Sequence, residues 1–376
     1  MVTIEKQLVT LNQDIAGQEI GIPVYRVYDD SITHDVKKVY IQSAVHAAEM
    51  QGSAVIYQLI QQLKTLKLNA EFVLVPNCNP FGRTQRAGEY LQGRFDASTG
   101  NNWNRFYHYD KQDTVAFVDE LSEEDFACLN TGESQKVVGD FRLYLQMQLQ
   151  KSLNNNWGVN TAQFLNITLQ GFANKADIVL DLHTGPSSTR HIYAPQTLSE
   201  QARAFSIENI LSIPMSFAGA LDEASFMPWW DLKQLLSEKG IQLNYQVDAY
   251  TIELGSQENI SLEEAKKDVL GILNYLSQQD LIEQFEGIEF NETQIIPLSR
   301  YKTLFSQYAG MVEYLAKAGD KVEKGQVIAR VLNSLEFDND NAIVNIHSPE
   351  SGVVILHYPS AAVQVGTQLY KIAVNN

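Results

Sequence analysis

Three short polar clusters in this chain carry side chains that could hold a metal ion and move a proton: His46-Ala-Ala-Glu49, Asp181-Leu-His183 and Thr251-Ile-Glu253-Leu-Gly255. Imidazole nitrogens and carboxylate oxygens are donors that zinc accepts, and a catalytic zinc keeps one position open for water. A further carboxylate supplies a general base. His46 and Glu49 stand three residues apart, close enough to point the same way from a helical turn or a tight loop. Each signal is weak by itself. His-x-x-Glu also fits a surface pair or a carboxylate at a helix start, and a lone His183 also fits a hydrogen-bonded core histidine.

The segments before the clusters give them direction. Val39-Tyr40-Ile41 precedes the first, Ile178-Val179-Leu180 the second, and Tyr250 to Ile252 leads into the third. Continuous apolar runs of this kind read as parallel strands buried on both faces. In open α/β sheets ligands bind at the carboxyl ends of such strands, so polar residues leaving three strands can meet there. Around them, residues 3 to 28 read as two short strands joined at Ala16-Gly17. Glu49 to Leu68 has Ile56, Leu59, Ile60 and Leu63 at helical spacing. Phe72 to Pro76 reads as a strand, Ser122-Glu-Glu-Asp125 as a capped helix start, and Phe141 to Leu153 as helix. Ile192-Tyr193 and Ile213-Pro214-Met215 are further strand candidates, and Asp231 to Lys239 and Leu262 to Gln279 read as helices. The acidic stretch Asp113 to Glu124 reads as a solvated face. The alternation predicts an α/β domain with a twisted mixed sheet flanked by helices, over residues 1–290.

Composition limits what such a domain can do. With 28 basic against 45 acidic side chains the net charge is −17, which argues against nucleic acid or an anionic membrane as partner and leaves a small polar substrate. The two cysteines, Cys78 and Cys128, are too few for a disulfide framework or a cysteine-ligated zinc site. Met1-Val-Thr-Ile-Glu-Lys-Gln lacks the layout of a signal peptide and no apolar run reaches membrane-spanning length, so a cytoplasmic protein is expected.

After residue 300 the texture changes to short β-like runs punctuated by glycine. Gly310-Met-Val312, followed by Gly319, Val322 and Gly325, is echoed by Gly352-Val-Val354, followed by Val363 and Gly366. Two similar β-hairpin units are expected from the repeat. The pattern resembles the biotinyl/lipoyl-like β-sandwich, over residues 300–376. Carrier members of that fold place a lysine on the turn between the halves. None lies between Gly325 and Gly352 here, which favours a structural or oligomerisation role and is compatible with a homo-oligomer.

The order His46-x-x-Glu49, Asn79-Pro80-x-Gly82, Asn104-Arg105, His183 and Glu253 resembles the zinc metallocarboxypeptidase superfamily. More closely, it resembles the succinylglutamate desuccinylase/aspartoacylase family, over roughly residues 37 to 280. The resemblance implies that His46, Glu49 and His183 bind one zinc per chain, that Glu253 is the general base, and that Asn104 and Arg105 grip a substrate carboxylate. A guanidinium fork matches two carboxylate oxygens independently of any family. Arg86 is the candidate for stabilising a developing oxyanion, with Arg83 and Arg94 as rivals.

Two positions depart from the pattern. The family carries Asp-x-Asn-Arg, in which the aspartate backs a zinc-bound histidine; here the sequence is Asn102-Trp103-Asn104-Arg105. An amide still accepts the imidazole N–H bond, yet leaves the ring less electron-rich and the metal less tightly held. Trp103 is bulkier than the residue expected there. Asp181 reads either as a partner behind His183 or as a strand-end carboxylate. Trp229-Trp230 reads as a pocket wall or as core, and Arg190 and His191 are pocket candidates. The resulting expectation is a zinc-dependent hydrolase that cleaves the amide bond of a small N-acyl amino acid. A metallocarboxypeptidase acting on a peptide C-terminus is the enzymatic alternative, and a non-catalytic scaffold the non-enzymatic one.

Overall fold

A computed structural model describes residues 1–32, 36–285 and 292–375, so the expected domain end at residue 290 lies outside the described residues. In chain order the strands and helices begin with β1 (Val2–Gln13), β2 (Glu19–Asp29), β3 (Lys38–Ser43), α1 (Gln51–Leu63), β4 (Glu71–Val75), β5 (Arg86–Ala87) and β6 (Tyr90–Leu91). Then come α2 (Lys111–Asp119), α3 (Glu123–Thr131), α4 (Gln135–Leu153), α5 (Thr161–Ala173), β7 (Ile178–Gly185), β8 (Ser187–Ser188), β9 (Arg190–Pro195) and β10 (Asn209–Ile213). They are followed by α6 (Leu221–Glu238), β11 (Asp248–Ser256), α7 (Leu262–Gln278) and β12 (Gln294–Pro297). The C-terminal strands are β13 (Tyr301–Phe305), β14 (Gly310–Tyr314), β15 (Lys321–Val322), β16 (Val327–Leu332), β17 (Ile343–His347), β18 (Gly352–His357), β19 (Ala362–Val363) and β20 (Gln368–Val374). No described helix is long and apolar enough to cross a membrane.

The chain divides into two compact units, neither continuous in sequence. The first comprises Met1–His183, Met215–Thr251 and Ile260–Ile288, and the second Thr184–Pro214, Ile252–Asn259 and Glu289–Asn376. In the first unit the strand order is β1-β2-β4-β3-β7-β11. β3 lies parallel between β4 and β7, with Ile41 opposite Leu74 on one side and Leu180 on the other. All eight residues of β7 are buried, as an apolar run covered on both faces requires. β1 and β2 form a long antiparallel pair rather than two short strands, in register from Val2↔Asp29 to Gln13↔Glu19 with one bulge.

The helices differ from expectation in ways that sequence chemistry explains. α1 starts at Gln51, so Glu49 lies in the loop before it. The acidic stretch Asp113 to Glu124 is not merely a solvated face: it overlaps α2, capped by Asp110, which buries Thr114, Phe117 and Val118. α3 has the reciprocal capping box of Ser122 and Asp125, and α5 has the same device in Asn160 and Gln163. α6 is twice the expected length, since Pro228, which reads as a helix breaker in the sequence, sits inside it. Trp229 packs as core, edge-on to Phe141 at 4.9 Å between ring centroids.

In the second unit β11 continues beside β9-β10-β12, and the C-terminal strands build two sheets, β13-β20-β18-β15 and β17-β16-β14-β19. The two repeat copies exchange their shortest strands. β15 of the first copy pairs with β18 of the second, and β19 of the second pairs with β14 of the first. Separate hairpins would each leave one apolar face bare; the exchange closes a shared core of Val312, Val322, Ile328, Val331, Val354 and Leu369. β8 adds to this structure by pairing with β18, and Leu211 and Ile296 pack with Val353, Ile355 and Ala373.

Candidate functional site

β3 ends at Ser43 and the chain turns through Ala44 in the left-handed region, φ 61°. A non-glycine residue there costs about 1–3 kcal/mol and persists only where its surroundings enforce it. Asn79 provides much of that enforcement. Its Nδ2 donates to Val45 O at 2.8 Å, and its Oδ1 accepts from Phe81 N and Gly82 N. Ala47 N donates to Gly93 O at 3.0 Å. Gly93 itself has φ +66°, and a Cβ on it would come 2.7 Å from Ala47 Cβ, so only glycine fits. The Asn79-Pro80-x-Gly82 motif thus pins the loop that presents His46 and Glu49.

The loop meets the end of β7 at one buried cluster. His46 Nδ1 lies 3.0 Å from Glu49 Oε1, and His183 Nδ1 lies 2.8 Å from Glu49 Oε2. The ligating atoms of His46, Glu49 and His183 all fall within 4.8 Å of one another. Each ring is anchored from behind. His46 Nε2 stands 2.7 Å from Asn102 Oδ1, and His183 Nε2 stands 2.8 Å from Asp181 Oδ2. Both partners are acceptors, so each Nε2 carries a proton and each Nδ1 can offer a lone pair inward. Two imidazoles and a carboxylate, buried and oriented in this way, fit a divalent cation such as zinc.

Asp181 is itself held. Gln42 Nε2 donates to Asp181 Oδ1 at 2.8 Å, and Tyr40 Oη donates to Gln42 Oε1 at 2.8 Å. This resolves the two readings of Asp181 in favour of a partner behind His183. Gln42 and Tyr40 escape notice in the sequence because they sit inside an apolar strand. Asn104 Nδ2 lies 3.1 Å from His183 Nε2 while Asn104 Oδ1 is buried without a partner. A nitrogen that donates to Asp181 cannot also accept, so an Asn104 amide turned over would place its oxygen, not its nitrogen, toward that N–H.

Burial and charge act against each other here. Burial raises the Glu49 carboxyl, but His46 and His183 lower it by more, and it is held well below the usual carboxylate range. His46 is lowered, first by burial, with Glu49 opposing. His183 is also penalised by burial, yet Asp181 and Glu49 on either side drive it well above the ordinary imidazole value.

Of the three arginine candidates, Arg94 reaches the cluster: its Nη2 donates to Glu49 Oε1 at 2.6 Å. Arg86 is exposed on β5, in the short hairpin with β6, and Arg83 is exposed in the turn before it. Arg105 is exposed, with Nη1 donating to Asn104 O at 2.6 Å. Its backbone is clasped by α5, where Asn166 Nδ2 donates to Arg105 O and Gln170 bonds both His108 N and His108 O. Phe106, directly after, has φ 67°. Trp103 is buried and stacks on Phe81, with 6.2 Å between ring centroids.

Glu253, Arg190 and His191 belong to the second unit. Glu253 is half-buried on β11, and its charge is among the influences that raise the Tyr301 hydroxyl, after burial and Tyr193. His191 is buried, and burial pushes its imidazole down to about 4. Its ring lies edge-on to Tyr193 at 5.3 Å.

Residues 35–278 match the profile of the succinylglutamate desuccinylase/aspartoacylase catalytic domain. Residues 301–360 match the RND-related barrel-sandwich hybrid domain. A family protein of Shewanella frigidimarina NCIMB 400 is 36% identical, with TM-score 0.89 over 100% of this chain and 98% of its own. Another, from Shewanella amazonensis SB2B, is 39% identical, with TM-score 0.87 over 98% of each chain. The ectoine utilization protein EutE (DoeB) of Ruegeria pomeroyi, in a product-bound structure, shares the fold at 16% identity and TM-score 0.64, covering 100% of this chain and 95% of its own. No curated protein sequence matches significantly. With the profile covering well over half of the chain, this protein belongs to the succinylglutamate desuccinylase/aspartoacylase family, a family of deacylases, and carries a C-terminal barrel-sandwich hybrid domain.

Proposed function

We propose that the protein is a zinc-dependent hydrolase that cleaves the amide bond of a small N-acyl amino acid. The observation that carries this reading is the convergence of His46 Nδ1 and His183 Nδ1 on the two oxygens of Glu49, each ring anchored through its Nε2. His46, Glu49 and His183 would hold the metal. When bound, it supplies a Lewis acid for the scissile carbonyl and lowers the pKa of coordinated water to about 7. Glu253 removes a proton from the attacking water and returns it to the departing amine. Arg94 donates to the oxygen on which negative charge develops. Arg105 pairs with the substrate carboxylate, its backbone steadied by Asn166. The tightly held rings support this division of labour, because a ligand that cannot rotate leaves little to reorganise during reaction.

The test is release of amine from a panel of N-acyl amino acids and short peptides by the zinc-loaded protein. Turnover of N-acyl amino acids but not of peptides is the expected outcome. Preference for peptides would favour carboxypeptidase action instead. His46→Ala and His183→Ala should lose the metal on elemental analysis, whereas Glu253→Gln should keep it and lose turnover by orders of magnitude. Full activity in Glu253→Gln would sink the base assignment.

A further inference from the structure

Ser187 and His357 form a pair that the deacylase chemistry does not use. They sit opposite each other where β8 pairs with β18. Ser187 Oγ lies 2.9 Å from His357 Nε2, and His357 Nδ1 lies 2.8 Å from Tyr358 O. A carbonyl oxygen only accepts, so Nδ1 carries the proton, Nε2 presents its lone pair, and the Ser187 hydroxyl donates to it. The ring is held in place. Tyr314 stacks on it at 4.6 Å and 24°, and Tyr370 meets it edge-on at 6.1 Å. A hydroxyl donating to an imidazole whose other nitrogen is oriented by a third group is the arrangement that activates a serine nucleophile.

The neighbouring serine provides the contrast. Ser188 is buried, and its Oγ lies 2.9 Å from Thr189 O and 3.3 Å from Ile355 O, both carbonyl acceptors that cannot take up a proton. Ser187 is half-buried rather than buried, and its acceptor is a base.

We propose that Ser187 is a nucleophile primed by His357, a site at which the chain takes an acyl group from a small activated ester. Ser187 Oγ forms a bond to the ester carbonyl carbon while its proton passes to His357 Nε2. The bond from that carbon to the alkoxy oxygen then breaks, and the departing alkoxide takes the proton back from His357. The product is a serine ester and a free alcohol.

The probe is a fluorophosphonate, which reacts by the same displacement: a bond forms from Oγ to phosphorus and fluoride leaves. Full-length, metal-loaded protein is treated with the reagent and the adduct is located by peptide mass spectrometry. One adduct, on Ser187 and not on Ser188, is expected. It should be absent in Ser187→Ala and formed at least 100-fold more slowly in His357→Gln, which keeps a hydrogen-bonding side chain without a base. The wild-type measurement decides even if a variant fails to fold: no adduct on Ser187 under excess reagent overturns the proposal. Labelling of His357→Gln at the wild-type rate overturns it as well. Labelling should persist in Glu253→Gln, which separates this site from the deacylase reading.

Discussion

His46 and His183 share Glu49 but differ in what stands behind the ring. Asn102 offers His46 a neutral amide oxygen, while Asp181 offers His183 a full carboxylate that is anchored in turn by Gln42. A carboxylate behind an imidazole makes the ring a stronger donor, and such partners are worth about 10–100-fold in metal affinity. Asn102→Asp should therefore tighten zinc binding by about tenfold or more in a competition titration against a chelating dye. Unchanged affinity would mean that Asn102 serves chiefly to accept the backbone N–H of Asn104, which it also does, at 2.9 Å. Arg94 and Arg86 make a second comparison at this scale. Arg94 touches Glu49, whereas Arg86 is exposed on β5. If Arg94 faces the developing charge, Arg94→Ala should lower kcat by about 10²–10³. Arg86→Ala should change it by less than about twofold, and a reversed order in the measured rates would return the role to Arg86.

The first turn of α6 stores a testable pH dependence. Asp222 is buried there, and burial first, then the charge of Glu223, pushes its carboxyl up to about 7. An unfolded aspartate titrates near 4. Between about pH 4 and pH 7 the folded chain therefore binds more protons than the unfolded one, and stability falls as pH rises through that window. Asp222→Asn has no proton to lose. Its advantage over the wild type should be close to nil at pH 4 and reach a few kcal/mol at pH 8, at about 1.4 kcal/mol per pH unit spanned, as read from urea unfolding. Equal advantage at both pH values would place the Asp222 titration elsewhere. This helix also marks a limit of what the sequence discloses. Pro228 and the Trp229-Trp230 pair break the amphipathic pattern of α6, so only its second half is legible. α5 escapes notice although Asn160 and Gln163 announce its cap, because its polar residues Asn166 and Gln170 are turned inward to clasp residues 105–108. The candidate ligands His46, Glu49 and His183 are legible for the opposite reason: they lie at the ends of apolar strands whose register is set by burial. Which arginine faces them depends on loop geometry between residues 82 and 94, and spacing does not encode that.

At the scale of the molecule, the barrel-sandwich hybrid is not an independent appendage to the fold. Its strands share a compact unit with residues 184–214 and 252–259, so the chain's division in space cuts across its division in sequence. The join is apolar: Ile355 is fully buried and packs in one cluster with Val353, Ala373, Leu211 and Ile296. Ile355→Ala leaves a cavity there and should cost about 2–5 kcal/mol. Because Leu211 lies on β10 and Ile355 on β18, the cost should fall on both sequence regions together. Hydrogen exchange should show β9 and β10 losing protection in step with β18 and β20, since elements sharing one core open as one cooperative unit. The helices and strands of the first unit, α1 and β3 among them, should keep theirs. If β18 and β20 alone opened faster while β10 kept its protection, the C-terminal strands would be stabilised by their own core of Val354, Ile328 and Leu369. A result of that kind would make the C-terminal strands separable from the rest of the chain. Joint opening would mean that a truncation near residue 300 strips the cover from Leu211 and Ile296, and so destabilises the segment directly downstream of His183.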